Sequence, residues 1–349
     1  MPPNTTSSSE DRYAKQILLE EIGQEGQTIL SRAHVLIAGL GGLGSSVAEI
    51  LCRMGVGGLR LVDRDYVDFT NLHRQTVYTE EDADHVAPKA VALKDRLSRV
   101  NAEVRIEARV THIDPSNVTR LVKGVDLVVD GSDNLDLRLL LNEMCVKVGK
   151  PFVFGAVHGT AGMTMGILPG ESACLRCLLA EQEVGFPPSS RAGIYPPTVR
   201  IVASLQAALV VQALLRGRSG KDWAGQLHVI DAWTMEFDRV HVARRKERNP
   251  CPVCVKREFE YLRAERPAGP QVVVEGDTVI ILPERRASVD LAVLRARLQR
   301  VEPVKVNEHL LWARIGDVEM AVFRDGRMSV RGAGDWAEAV HLYERYLGE

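Results

Sequence analysis

Two groups of residues in this chain of 349 could do chemistry by their type and spacing. The first is the glycine run Gly39-Leu40-Gly41-Gly42-Leu43-Gly44, which matches GxGxxG. Between a strand and a helix, such a run offers bare backbone N–H groups at the positive end of the helix, where phosphate is favoured. Glycine is needed there because a Cβ would hold the phosphate off the backbone and keep helix and strand apart. Asp63 follows Gly44 by nineteen positions, a spacing that puts a carboxylate at the next strand end, where it can accept hydrogen bonds from ribose hydroxyls. Loop and acid together point to a nucleotide, and leave open whether it is a dinucleotide or ATP.

The second group is two CxxC pairs, Cys174/Cys177 and Cys251/Cys254, with 74 positions from Cys177 to Cys251. Four thiolates suit a closed tetrahedral Zn²⁺ site better than any hard cation. The competing reading is a pair of redox dithiols. It is weaker because Cys251-Pro252-Val253-Cys254 follows Asn249-Pro250 in a charged, turn-like segment rather than opening a thioredoxin-like helix. Cys52 and Cys145 fall at apolar-spaced positions of predicted helices, where free cysteine behaves as a small hydrophobe.

The elements that must position these groups alternate from Ala33 to Gly155 between short β-branched runs and longer helical stretches, the sign of a parallel sheet. Strands are predicted at His34–Leu40, Leu59–Val62, Val104–Val110, Leu127–Asp130 and Pro151–Ala156, with helices opening near Ser45, Pro88, Ser116 and Leu135. An antiparallel strand at Met163–Leu168 follows, then a loop rich in Pro, Ser and Gly from Glu181 to Pro197. A long apolar helix over Thr198–Arg216 and two strands, Leu227–Ile230 and Phe237–Val242, lead to the second CxxC. The segment 264–270 reads as a linker. Residues 271–349 read as a small module of two strands, a helix near Asp290–Gln299, a meander and a final helix Asp335–Leu347. Arg324-Asp325-Gly326 marks a hairpin turn within it. The expected fold is thus a Rossmann-like α/β domain over 11–263, mostly parallel with an antiparallel extension and a four-cysteine zinc site, plus an α+β module. Residues 1–10 are expected to be disordered.

Further polar residues then recur in order: Arg12-Tyr13-Ala14-Lys15-Gln16, Asn71-Leu72-His73-Arg74-Gln75, Pro88-Lys89 and Asp130-Gly131-Ser132-Asp133-Asn134. With the glycine run and the CxxC pairs, this ordered set resembles the MoeB/ThiF adenylyltransferases, relatives of the ubiquitin-activating enzymes. The resemblance spans about residues 11–260 and is far more specific than any single motif. It implies attack of a carrier protein's C-terminal carboxylate on the α-phosphate of ATP, giving an acyl-adenylate and pyrophosphate. Cations must then face the developing phosphate charge, and Arg74 and Lys89 are the candidates. Asp133 corresponds to an aspartate that holds Mg²⁺ against the phosphates, with Asn71 and Asn134 as nucleotide contacts. Gly39, Gly41, Gly42 and Gly44 line the phosphates and Asp63 the ribose. Lys15 stands where the family has an arginine that reaches the partner subunit's ATP, keeping the charge but not the bidentate geometry, with Arg12 as an alternative. A homodimer and a ubiquitin-like sulfur carrier ending in Gly-Gly are the implied partners. The position at the end of the fourth strand alone also admits Asp130 or Asp133 as the cap of the helix beginning near Leu135.

The competing activities are an NAD(P)-dependent oxidoreductase, which shares the glycines and Asp63 but gives no use for Arg74, Lys89 and the cysteines, and a relative acting on a small molecule or a tRNA base. A non-catalytic scaffold is disfavoured by the intact set Arg74, Lys89 and Asp133. Lys plus Arg is 44 against 46 Asp plus Glu, net −2, without a basic patch that would suit nucleic acid. No apolar leader opens the chain and no unbroken apolar run approaches a membrane span, so a cytoplasmic protein is expected. Residues 271–349 contain no cysteine, which excludes thiolate sulfur transfer from that module.

Overall fold

The computed structural model describes residues 9–181, 193–217, 221–244, 250–263, 270–284, 288–298 and 303–348. The middle of the loop expected at Glu181–Pro197, nearly all of the linker expected at 264–270, and residues 1–8 lie outside the described residues.

The larger of two sheets runs β3-β2-β1-β4-β5-β6-β7-β8. Its first five strands are parallel: β1 (His34–Ala38), β2 (Gly58–Asp63), β3 (Arg105–Val110), β4 (Leu127–Asp130) and β5 (Phe152–His158). Three antiparallel strands follow, β6 (Ala161–Ile167), β7 (Gln226–Asp231) and β8 (Glu236–His241). The parallel strands are continuous apolar runs because helices cover both faces. One face carries α3 (Gly42–Arg53), α5 (Lys89–Val100) and α9 (Pro196–Arg216), whose buried side chains Val47, Leu93 and Val202 share a core with Val35, Ile37 and Leu61. The other carries α6 (Val118–Val122), α7 (Leu135–Val148) and α8 (Leu175–Glu181) over Leu36, Val128 and Phe152. Chain order reverses between β1 and β4, and such a switch opens a crevice at the carboxyl ends of the strands.

The predicted strands fall within a few residues of the observed ones. Four differences have physical causes. The helix expected near Ser45 opens three residues earlier, at Gly42, since the glycines themselves form its first turn. The helix after β4 is capped by Asn134, whose Oδ1 accepts from the Leu137 N–H at 2.8 Å, and not by Asp130 or Asp133. Helix α9 reaches a length and apolar composition that could cross a membrane, although no unbroken apolar run signalled it. More than half of its most apolar stretch is buried, against α3, β5 and β6. Two N-terminal helices, α1 (Ser9–Ile17) and α2 (Gly23–Arg32), went unread because their sequences are polar and glycine-interrupted.

The second sheet is antiparallel, ordered β11-β12-β13-β14-β10-β9. It contains β9 (Gln271–Glu275), β10 (Thr278–Leu282), β11 (Val304–Val306), β12 (Leu310–Ile315), β13 (Val318–Phe323) and β14 (Met328–Arg331). Helices α11 (Leu291–Arg297) and α12 (Trp336–Leu347) cover one face through Leu294 and Leu342 against Leu311, Met320 and Val322. By strand alternation Leu310, Trp312, Ala321 and Phe323 point the other way, onto Val86, Tyr66 and Val110 of the first sheet's domain.

Candidate functional site

The glycine run leaves β1 at the switch point. Gly39 has φ +83°, and a Cβ there would lie 2.8 Å from the backbone of Ser132 in the loop after β4, so the β1 and β4 loops meet too closely for any side chain. A Cβ on Gly44 would come within 1.9 Å of the Gly39 oxygen. Gly41 differs: only the Gln75 side chain comes within 4 Å of where its Cβ would be, so the backbone there faces free space. Helix α3 begins at Gly42 with no side-chain cap. Its first N–H groups and its dipole are therefore presented to whatever occupies the crevice.

Two residues hold this loop. Asp63, at the end of β2, accepts from the Leu40 N–H at 2.6 Å and from the Asp65 N–H at 2.7 Å. Burial drives its carboxyl above the usual range, against the opposing pull of Lys89. The carboxylate predicted to face ribose is thus also the clamp of the phosphate loop. Tyr78 donates its hydroxyl to the Leu40 oxygen at 2.8 Å, and burial holds that hydroxyl well above its ordinary pKa. Tyr78 was not singled out from the sequence. Its place three residues after Gln75 was the available signal.

The cations converge from two segments. Lys89 opens α5, 8% exposed. Its ammonium lies 3.7 Å from Asp65. Burial opposes its charge, but Asp65, Asp63 and Asp133 outweigh burial and keep its pKa above the ordinary value. Arg74 follows the short 3₁₀ turn Phe69–Asn71, which Asp68 caps through the Thr70 N–H at 2.8 Å. Its guanidinium donates to the Thr70 oxygen at 3.1 Å and lies 2.9 Å from His73 Nε2. Burial lowers the Arg74 pKa while Asp133 and Asp68 oppose the shift. Asn71 is partly exposed in the same turn, its amide 3.3 Å from the Thr70 hydroxyl.

Asp133 is exposed at the carboxyl end of β4, and its charge acts on both Arg74 and Lys89. The loop carrying it is fixed from beneath. Asp130 accepts from the Ser132 N–H at 2.9 Å and pairs with Arg138 at 2.6 Å. Arg138 also donates to the Ser132 and Gly155 oxygens and stacks over Phe154. Neither Arg138 nor Asp65 was read as part of the site, since one looked like a helix-surface cation and the other like a neighbour of Asp63. Asn134 departs from its expected role: its Oδ1 caps α7 and its amide donates to Glu275 at 2.5 Å. Both ends of the side chain are already engaged.

Lys15 is not brought to this site. On α1 its neighbours Tyr13 and Gln16 bond Asn101 Nδ2 at 2.8 Å and the Met54 oxygen at 3.0 Å. Met54 ends α3, so Lys15 lies at the far end of that helix, about 18 Å of helix from the glycine run. Arg12 instead donates to the Val100 oxygen at 3.2 Å.

The cysteines do come together. The four Sγ atoms of Cys174, Cys177, Cys251 and Cys254 lie within 4.8 Å of one another, all buried. Cys174 and Cys251 are 3.7 Å apart, and Cys177 and Cys254 3.6 Å. Tetrahedral zinc with bonds of about 2.3 Å sets its sulfurs about 3.8 Å apart, so the donor set fits. Hydrogen bonding with Cys174 and Cys177 lowers the Cys254 thiol below its ordinary pKa. Cys174 is tied to α7 by Leu175, whose N–H donates to Asn142 at 3.0 Å.

A model of the ThiF family matches residues 13–253. The chain is 35% identical over 338 residues to the "Sulfur carrier protein ThiS adenylyltransferase" of Bacillus subtilis, covering 97% of this chain and 99% of that one. It is 39% identical over 257 residues to the "Sulfur carrier protein adenylyltransferase" of Thermus thermophilus, covering 71% of this chain and 92% of the relative. Among solved structures, E. coli MccB is similar with a TM-score of 0.61 at 24% identity, over 75% of this chain and 76% of MccB. The matches, the switch-point glycine loop and the four-cysteine cluster lead to one conclusion: this chain belongs to the ThiF family.

Proposed function

We propose that this protein uses ATP to adenylate the C-terminal glycine carboxylate of a ubiquitin-like sulfur carrier, releasing pyrophosphate, in molybdopterin, thiamine or a related sulfur pathway. The observation that carries this reading is Arg74 packed beside Gly42 at the uncapped start of α3, with the Asp133 charge acting on both Arg74 and Lys89. A nicotinamide site would need the glycines and Asp63 but would have no reason to gather two cations and an exposed carboxylate there. The names of the matched adenylyltransferases support the same reading.

In this assignment the N–H groups of Gly41 and Gly42 and the start of α3 receive phosphate oxygens, and Asp63 and Asn71 face the ribose and phosphates. Arg74 supplies a planar fork and Lys89 a compact charge to the oxygens that gain charge as the carrier carboxylate attacks the α-phosphorus. Asp133 would hold Mg²⁺, which supplies neutralising charge to the phosphates when bound. The four cysteines would hold Zn²⁺ in a structural role, joining α8 to the segment after β8. Lys15 cannot act on the site of its own chain, so its role, if the family pattern holds, requires a homodimer in which it serves the partner's ATP.

The test is ATP–pyrophosphate exchange by the purified full chain, with and without a carrier ending in Gly-Gly. Exchange that depends on the carrier is the expected result. Absence of exchange with every carrier, together with NAD(H) binding, would return the chain to the oxidoreductases.

A further inference from the structure

We propose that the C-terminal sheet is part of the nucleotide site, where Arg327, Glu275 and Arg331 act as positioning residues for the segments that carry Lys89, Arg74 and Asp133. The inference rests on the adenylation reading, and deepens it by giving residues 270–348 a task other than carrier docking or sulfur transfer.

Four contacts from this sheet end on those segments. Arg327, 2% exposed, sits in the turn between β13 and β14. Its Nε contacts both Asp325 oxygens, at 3.0 and 2.8 Å, and its Nη1 donates to the Arg64 oxygen at 3.1 Å. Among the described residues its buried Nη2 has no hydrogen-bond partner, an arrangement that simple packing would not favour. Its Nη1 instead bonds the backbone oxygen of Arg64, the residue next to Asp65, whose carboxylate pairs with Lys89 at 3.7 Å and is stabilised by the Arg327 charge. Glu275 on β9 accepts from Arg64 and from Asn134, and so ties the loop after β2 to the loop after β4 across the switch point. Arg331 on β14 donates to Asp68 at 2.7 Å, the residue that caps the turn leading to Asn71 and Arg74.

The fourth contact is Asn307, whose amide reaches the His85 and Val86 oxygens at 3.3 and 3.2 Å. Val86 has φ +44°, a costly conformation for a β-branched residue that persists only where its surroundings impose it. It lies three residues before Lys89, and Leu310, Trp312 and Phe323 pack against it. The second sheet thus grips a strained turn next to the catalytic lysine, and adds buried charge behind that lysine's carboxylate partner. A domain attached only for docking would not need its least accessible polar groups on these particular segments.

The experiment measures KM and kcat for ATP, KM for the carrier and Tm in Arg327→Gln, Arg327→Lys and Glu275→Gln variants of the full chain. Arg327→Gln is expected to raise KM for ATP about tenfold with KM for the carrier within about twofold, and Arg327→Lys to recover part of the loss. Glu275, on a partly exposed strand, gives the same reading if Arg327→Gln does not fold. Variants that lose Tm yet keep wild-type KM and kcat for ATP, or that shift both KM values equally, would overturn the proposal. If the wild type shows no exchange, the adenylation reading fails first. ATP affinity by calorimetry, wild type against Arg327→Gln, then decides the positioning role alone: equal affinities, or no ATP binding by either, reject it.

Discussion

The site's chemistry depends on how a few charges are balanced. Asp63 serves two demands, fastening Leu40 and Asp65 through their N–H groups while lying against Lys89. Asp133 differs in being exposed and, among the described residues, accepting no hydrogen bond, which leaves its oxygens available to a cation. Asp133→Ala is therefore expected to fold normally and to reduce carrier-dependent exchange by about a hundredfold or more. A near-wild-type rate would remove Asp133 from the site. Asp130 is the opposite case, fully buried and paired with Arg138. Arg138→Ala would strand that carboxylate, costing about 3–5 kcal/mol. Urea denaturation should register the loss, and a change under about 1 kcal/mol would show that the pair contributes little.

Most of these residues were readable as a motif but not as a geometry. Arg74, Lys89 and Asp133 stood out because three separated short runs recur in a fixed order. Tyr78, Asp65 and Arg138 did not, because each looks like an ordinary surface or core residue until the β2 and β4 loops are folded against each other. Asn134 shows the same limit: an asparagine before a helix suits a cap and a nucleotide contact equally well on paper, and in the structure its side chain makes the cap.

At the scale of elements, the parallel strands and their helices follow from apolar patterning, whereas the joints between them depend on particular side chains. The CxxC pairs are one such joint. Cys174 and Cys177 start α8, and Cys251 and Cys254 form a tight turn in which the Val255 and Lys256 N–H groups bond the Cys251 oxygen. Metal analysis of the purified protein should find about one zinc per chain. Cys251→Ser should lose that zinc and lower Tm by about 5–10 °C, since a broken structural site gives back folding free energy. A zinc-free wild type with an unchanged Tm would mean the thiols merely pack together. The strand alternation of β12 and β13 makes a second joint: the sequence reads there only as a meander, and docking onto the first sheet's domain explains why Leu310 and Trp312 face away from α11 and α12.

At the scale of the whole molecule, Lys15 and the glycine run lie at opposite ends of α3, so the proposed role of this lysine calls for a nucleotide bound by a partner chain, as in the proposed homodimer. Lys15→Ala and Asp133→Ala are each expected to be inactive. Co-expressed, they should recover about a quarter of wild-type exchange, because half of the dimers would each contain one complete site. Failure to complement, with mixed dimers verified, would assign Lys15 to the surface. The same scale carries the positioning role proposed for the C-terminal sheet, whose Arg327 and Arg331 bond the Arg64 oxygen and Asp68.

Legible in the sequence alone were the strands of the first sheet and the helices between them, the glycine loop, the four thiols and the three charged candidates. These depend on local patterning, side-chain chemistry and spacing, which are written along one dimension. Only the tertiary structure decided that Asp63 clamps the loop it follows, that Asn134 makes a helix cap, that Lys15 is remote from its own site, and that Arg327 bonds the backbone oxygen of Arg64 beside Asp65. Each of these is a contact between segments far apart in the chain. Its existence depends on how two sheets pack, and no local pattern of residue types encodes that packing.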